Sequence, residues 1–124
     1  MKIVKIDGEM GVQMFQYALY LQLRSADSNT ALDAPRQWIA QQFAITDFNS
    51  ATSEQIESLK GSKMSHLKGL LGINKVETKI ITDTFGEFSR EALNATEGYY
   101  NGSWTSHRYF ESVADDVAKA FIAP

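Results

Sequence analysis

The first place where this sequence could do chemistry is a short glycine turn, residues 8–11, between a predicted strand and a predicted helix. In α/β proteins ligands bind outside the carboxyl end of such a strand, where free N–H groups and the dipole of the next helix favour an anion or a polar oxygen. The dinucleotide-binding fingerprint needs glycines at a second and a third position, which other residues fill here. Asp33, at the end of the second predicted strand, stands where a ribose-binding carboxylate would. Residues 8–11 therefore have two interpretations: a turn that binds a nucleotide, or a tight turn that binds no ligand.

No other residue pattern identifies a catalyst. His66 and His107 are far apart, with no carboxylate at metal-ligand spacing from either, and His107 is expected to be a surface imidazole. Asp115 and Asp116 are adjacent in a predicted helix, and adjacent helical residues do not face each other. The chain contains no cysteine, which excludes a disulfide framework, a thiolate nucleophile and a Cys-based zinc site. No metal site is expected.

The elements that must position the glycine turn follow an α/β pattern. Residues 2–6 alternate with β-branched side chains and predict a strand, and residues 30–33 predict a short second strand. Residues 12–24 predict a helix that is apolar almost all round and therefore buried. Strand, glycine turn, buried helix and strand begin a unit with a parallel sheet. The predicted fold class is α/β with a Rossmann-like parallel sheet.

The remaining elements are predicted from weaker patterns. Thr52 and Gln55 match a capping box and predict a short helix that ends at Gly61. The lysine-rich residues 60–81 predict a solvated linker with an edge strand over 76–81, and residues 99–104 a strand with a glycine bend. Residues 106–121 predict an amphipathic helix. Further apolar residues predict one or two helical turns near residue 40, namely Trp38, Ile39, Phe43 and Ile45.

Composition limits the class of protein. A length of 124 residues, with 44% apolar and 22% charged residues, fits one globular domain. The formal net charge of −3 argues against nucleic acid or an anionic membrane as the main partner. No stretch reaches the roughly 20 apolar residues of a membrane span, and Lys5 and Asp7 interrupt any signal-peptide core. A cytoplasmic protein, or one peripheral to the inner face of a membrane, is expected.

Two stretches resemble the α-1,2-fucosyltransferase family. Residues 8–19 are Gly-Glu-Met-Gly-Val-Gln-Met-Phe-Gln-Tyr-Ala-Leu, and the family has Gly-Gly-Leu-Gly-Asn-Gln-Met-Phe-Gln-Tyr-Ala after its first strand. Residues 100–110 are Tyr-Asn-Gly-Ser-Trp-Thr-Ser-His-Arg-Tyr-Phe, and the family has an aromatic residue followed by Gly-Tyr-Trp-Gln-Ser-x-x-Tyr-Phe. The two motifs occur in the family's order near the two ends of the chain.

The resemblance implies a galactoside α-1,2-fucosyltransferase that moves fucose from GDP-fucose to a glycan galactose hydroxyl, with inversion and without a metal. It implies a GT-B-type fold, of which residues 1–124 would be the N-terminal, acceptor-side α/β domain. The family grips its donor through a His-x-Arg-Arg-Gly-Asp motif in the C-terminal half, and no such motif occurs here. The chain alone is therefore expected to be inactive.

Site residues carry over position by position. Gly8, Gly11 and Gln13 match the family, Val12 replaces its asparagine, and Glu9 replaces its second glycine. The resemblance implies that the turn with Gly8, Gly11, Val12 and Gln13 faces the donor. Tyr17 and Trp104 would lie on the acceptor side.

Three alternatives stay open. Trp104, Tyr109 and Phe110 fit a purely structural role in the core, because aromatic residues on such elements usually pack. The chain could be a non-catalytic carbohydrate- or protein-binding remnant of the family, which would self-associate through the exposed domain face. It could also be a Rossmann-type nucleotide-binding domain that uses Gly8, Gly11 and Asp33.

Overall fold

A single parallel sheet organises the chain. The computed structural model describes residues 1–43, 45–61, 79–83 and 87–121. Four strands pair in the order β2-β1-β4-β3, and every pairing is parallel. They are β1 (Lys2–Lys5), β2 (Ala31–Asp33), β3 (Ile80–Thr82) and β4 (Gly98–Asn101). The predicted α/β class with a parallel sheet is confirmed.

Five α-helices accompany the sheet in the described part of the chain. The longest, α1 (Met10–Ala26), follows β1 directly and carries the predicted buried helix. The others are α2 (Ala40–Phe43), α3 (Ser53–Lys60), α4 (Arg90–Asn94) and α5 (Ala114–Ala120). The capping box is present, since Thr52 accepts from the Gln55 N–H and the Gln55 side chain accepts from the Thr52 N–H.

The two faces of the sheet bury unequal cores. Successive strand residues point to opposite faces, so Val4 and Tyr100 join the large core beneath α1, which also contains Leu19. On the other face, Ile3 and Tyr99 pack with Leu59 of α3 in a small cluster. The almost uniformly apolar surface of α1 is explained by its place in the larger core.

One buried amide ties the sheet together at its carboxyl edge. Gln16 is fully buried in α1, and its Oε1 accepts from the N–H of Asp7, just after β1, at 2.9 Å. Its Nε2 donates to Asp7 Oδ1 at 2.7 Å and to the carbonyl of Gly102, just after β4, at 2.8 Å. The amide oxygen and the NH2 group of Gln16 are thus all hydrogen-bonded, and the side chain braces the ends of the two central strands.

The glycine bend after β4 is held by a carboxylate. The strand ends at Asn101, so the predicted strand over 99–104 is too long. Asp83 Oδ1 accepts from the Ser103 N–H at 3.1 Å, and Oδ2 accepts from the Trp104 N–H at 3.0 Å. A Cβ on Gly102 would lie 2.0 Å from Asp83 Oδ1, so only glycine admits this approach. Trp104 itself has a φ of 57°, which is unusual for a residue with a side chain.

The predicted continuous helix over residues 106–121 is wrong. Two 3₁₀ turns, His107–Tyr109 and Glu111–Val113, precede α5. Phe110 separates them with a non-helical φ of −137°. Adjacent residues of an α-helix point about 100° apart, whereas Tyr109 and Phe110 both pack against the core. The non-helical backbone at Phe110 allows both side chains to point toward the core.

The other predictions have mixed outcomes. The helical turn near residue 40 is α2, and Gly61 ends α3 as predicted. An edge strand is present as β3, although residues 76–78 of its predicted range lie outside the described residues, as does most of the predicted linker. Among the helices described, none is long and apolar enough to cross a membrane.

Removing the amide of Gln16 is expected to destabilise the fold strongly. Gln16→Leu leaves the Asp7 N–H and the Gly102 carbonyl without their partner, and we expect a loss of about 2 kcal/mol or more in the free energy of unfolding. Urea denaturation measures it. Gln22→Leu is the matched control on the same helix, because Gln22 accepts one exposed bond from Ser112. Equal losses in the two variants would contradict the bracing role.

Buried tyrosines are expected to make the fold sensitive to alkali. Burial raises the pKa of Tyr17 and that of Tyr100 to about 12, from the ordinary 10.0. A raised pKa favours the neutral hydroxyl in the folded state, so this stability is complete below pH 10.0 and is lost as the pH rises toward 12. Phenolate absorbance and circular dichroism, followed together, should change cooperatively. Tyrosine ionisation without loss of secondary structure would contradict the prediction.

Candidate functional site

The predicted turn lies at the carboxyl edge of the sheet, between β1 and α1. Gly8 has a φ of 78°, in the left-handed region that favours glycine. A Cβ there would only touch Val12 at 3.5 Å, so the backbone conformation and not space requires the glycine. Glu9 is the N-cap of α1, and its side chain makes no capping bond. The turn is thus a true left-handed bend that leads into a long helix.

Gln13 supports this turn from within. Its Nε2 donates to the Gly8 carbonyl at 2.9 Å, and its Oε1 accepts from the Ile39 N–H at 3.0 Å. Both ends of the amide are therefore satisfied by backbone groups, which fasten the turn to the segment before α2. The donor-facing role that the resemblance implies for Gln13 stays a prediction, and in this structure the side chain is a brace.

Gly11 has a different environment. It is exposed in the first turn of α1, and a Cβ built on it meets no atom within 4 Å. Its backbone is helical, so neither packing nor a positive φ requires glycine there. The absence of a side chain at Gly11 would allow a ligand to approach the helix backbone closely, but the glycine by itself identifies no ligand.

An open cleft of about 640 Å³ lies beside the turn. Its walls are Met10 and Gln13 of α1 and residues 36–39, 41 and 42. Gln41 braces the far wall, since its Nε2 donates to the Arg36 carbonyl at 2.9 Å and its Oε1 accepts from the Trp38 N–H at 2.8 Å. A second open cleft of about 630 Å³ shares Arg36, Trp38 and Gln41. Amide groups and one guanidinium dominate the polar lining.

The two predicted acceptor-side residues are both in the core. Tyr17 is 4% exposed and packs against the rings of Tyr20, Trp38 and Phe121. Trp104 is 0% exposed and packs against Tyr100 and Tyr109. The structural role considered for Trp104 is the one that the structure shows, and contact of either residue with an acceptor stays a prediction.

Asp33 is not a free carboxylate. The hydroxyl of Tyr99 donates to its Oδ2 at 2.5 Å across the face of the sheet. Burial, together with this hydrogen bond, raises the pKa of Tyr99 well above its ordinary value. The bond orients the Asp33 carboxylate and occupies Oδ2, which leaves Oδ1 to accept a hydrogen bond from the ribose of a nucleotide.

The structure does not bring the other titratable residues of the sequence analysis together, as far as it describes them. His107 is exposed, with its Nε2 3.5 Å from Glu111 Oε1, a pairing that the sequence analysis did not identify. His66 lies outside the described residues. Asp115 and Asp116 are exposed, as expected for that helical face. Within residues 1–43, 45–61, 79–83 and 87–121, no group of three or more histidine, aspartate or glutamate side chains could hold a metal ion.

Sequence reasoning missed the roles of Gln16, Arg36 and Asp83. Gln16 carried a usable signal, because it is one of few polar residues on an otherwise apolar helix and so needed internal partners. Asp83 carried none, since its role depends on contacts with Ser103 and Trp104, and Arg36 carried none, since a cleft exists only in the folded chain. No protein-family model, no curated protein and no solved structure matches the chain.

The two glycines of the turn should respond oppositely to alanine. Gly11→Ala is expected to stabilise the fold by about 0.5–1 kcal/mol, because alanine is the better helix former and has open space there. Gly8→Ala should destabilise it by about 1–2 kcal/mol, because a side chain is strained at positive φ. Urea denaturation of the two variants measures both effects. Destabilisation by Gly11→Ala would show that the start of α1 is not the regular helix described.

Proposed function

We propose that this chain is the acceptor-side α/β half of a glycosyltransferase of the α-1,2-fucosyltransferase type. In this proposal the turn at Gly8 faces a sugar nucleotide, GDP-fucose, and the cleft beside it contributes to the binding of sugar. The finer description of the fold, a GT-B-like Rossmann half, belongs to the same proposal. Transfer to a galactose hydroxyl would need a donor-gripping half with the arginine motif that this sequence lacks.

The observation that carries the proposal is a contact between the two stretches that resemble the family. Gln16 belongs to the first stretch and Gly102 to the second, 86 residues later, and the Gln16 Nε2 donates to the Gly102 carbonyl at 2.8 Å. The ring of Phe15 lies 6.1 Å from that of Phe110, which joins the same stretches again. Two matching motifs that build one corner of the fold support a common origin better than two isolated matches would.

The position of this corner also supports a ligand site. β2 lies on one side of β1, and β4 and β3 lie on the other. The order of the strands therefore reverses between β1 and β4. In open α/β sheets ligands bind at the carboxyl edge, where the order of strands reverses. Asp7 and Gly8, at the end of β1, and Gly102, at the end of β4, lie at this edge. The strand order β2-β1-β4-β3 differs from the usual Rossmann order in placing β3 beside β4, so the topology supports the place of the site but not the Rossmann description.

The proposal predicts nucleotide binding without turnover. Titration calorimetry of the purified chain should detect binding of GDP and of GDP-fucose with a Kd of about 1 mM, as a single weak site gives, and no comparable binding of NAD. With a galactoside present, no GDP should be released, because the leaving diphosphate has no arginine pair to stabilise its charge.

Other outcomes separate the alternatives. Release of GDP would contradict the expected inactivity, and equal binding of NAD would favour a Rossmann-type nucleotide site. Asp33→Ala tests that site directly, since unchanged nucleotide affinity would remove Asp33 from it. No binding of any nucleotide would contradict the donor-facing turn.

A non-catalytic interaction module is a second candidate, and an apolar groove favours it. The groove, of about 230 Å³, lies between α1 and the C-terminal residues, lined by Met14, Phe15, Phe110, Val117 and Phe121. These side chains are half-buried, and apolar surface that stays open to solvent favours association. Sedimentation that shows a concentration-dependent dimer would support this candidate, and a monomer at all concentrations would argue against self-association.

A further inference from the structure

The cleft between the start of α1 and residues 36–42 has an unusual electrostatic character for this protein. The chain is acidic, with a formal net charge of −3. None of the residues described as lining the cleft is acidic, and its one charged side chain is that of Arg36. An arginine in a cleft whose described lining contains no acidic residue makes a local positive region that attracts an anion.

Arg36 is available to a ligand. In the part of the chain that the structure describes, no carboxylate oxygen lies within 4.0 Å of its guanidinium, and its side chain makes no hydrogen bond. Arg24, by contrast, pairs with Asp47 at 3.7 Å, and Arg108 lies over the ring of Phe88. Arg36 also lines the second cleft, so this exposed residue borders two open spaces.

The amides of the cleft divide into two groups. Gln13 and Gln41 are each bonded to backbone groups at both ends and hold the walls in place. Gln37 and Gln42 are exposed, and their side chains make no hydrogen bond in the described part of the chain. An amide offers a donor and an acceptor together, which matches the hydroxyl groups of a sugar. A guanidinium offers a planar fork that matches a phosphate.

From this arrangement we propose that the cleft binds a phosphorylated sugar, with Arg36 on the phosphate and Gln37 and Gln42 on the hydroxyl groups. The proposal deepens the proposed function and rests on it only for the identity of the sugar nucleotide. Two carboxylates lie next to the cleft in sequence, Glu9 at the N-cap of α1 and Asp33 three residues before Arg36, and both oppose the binding of an anion, although Asp33 accepts a hydrogen bond from Tyr99. Neutralising Glu9 should therefore tighten binding.

The two tryptophans allow a direct test. Trp38 lines the cleft, whereas Trp104 is fully buried in the core, so the two indole N–H signals of an ¹H–¹⁵N spectrum report on the cleft and on the core separately. Titration with inorganic pyrophosphate and with glucose 1-phosphate should shift the signal of Trp38 and leave that of Trp104 in place. The apparent affinity should fall as salt rises.

Variants assign the effect to Arg36. Arg36→Gln should weaken both ligands at least about tenfold, the expected loss for one charge-assisted bond. Arg90→Gln is the matched control, because Arg90 is also exposed and has no ion pair in the described residues but borders no cleft described here. Glu9→Gln should strengthen binding. Arg36→Lys retains the charge and should retain part of the affinity, and thermal unfolding verifies that each variant is folded.

The outcomes separate this inference from the proposed function. No shift of Trp38 with either ligand, or equal effects of Arg36→Gln and Arg90→Gln, would overturn the cleft site. Binding of GDP-fucose that is unaffected by Arg36→Gln would overturn it as well, while leaving the proposed function intact. Binding of pyrophosphate and sugar phosphate through Arg36, without any preference for guanine or fucose, would support the cleft and contradict the proposed function.

Discussion

The carboxyl edge of the sheet depends on the amide of Gln16. A buried amide is tolerated only when its groups are bonded, and each bond that Gln16 makes reaches a different backbone or side-chain group at the end of a central strand. These bonds hold Asp7, and with it the start of the glycine turn, at a fixed distance from the bend at Gly102. Gln16 therefore fixes the start of the turn relative to β4, and Gln13 fastens the same turn to the wall of the cleft.

Local pattern was sufficient for the elements whose signal lies within a few residues. The buried α1, the capping box at Thr52 and the two N-terminal strands could be predicted because periodicity, caps and β-branched residues are local properties. The C-terminal helix could not, because Tyr109 and Phe110 both pack inward and break it through contacts with distant elements. The length of β4 could not be predicted for the same reason. Asp83 accepts hydrogen bonds from the N–H groups of Ser103 and Trp104, which therefore do not continue the strand.

The position of the glycine turn in the fold could be predicted from the sequence, but the roles of the side chains around it could not. A glycine turn after a first strand predicts the carboxyl edge of a parallel sheet, and Gly8 has the positive φ that such a turn needs. The residue types could not distinguish a side chain that contacts a ligand from one that braces the protein. The donor-facing role of Gln13 stays a prediction, and its amide is bonded to the backbone of Gly8 and of Ile39. Tyr17 and Trp104 were candidates for an acceptor, and burial places them in the core.

This distinction between bracing and binding follows from the geometry of the amide group. A glutamine that bridges two backbone segments uses both of its ends and becomes rigid, and in doing so it leaves its neighbours free to point outward. Gln13 and Gln41 fix the two walls of the cleft, so that Arg36 and Gln42 need make no structural bond. Side chains that are exposed, polar and not needed for folding, on walls that are rigid, are the groups with which a pre-organised site contacts a ligand. Gln13, which matches the family motif, therefore supports the cleft, and a different residue of the same cleft, Arg36, is the one whose side chain makes no structural bond in the described part of the chain.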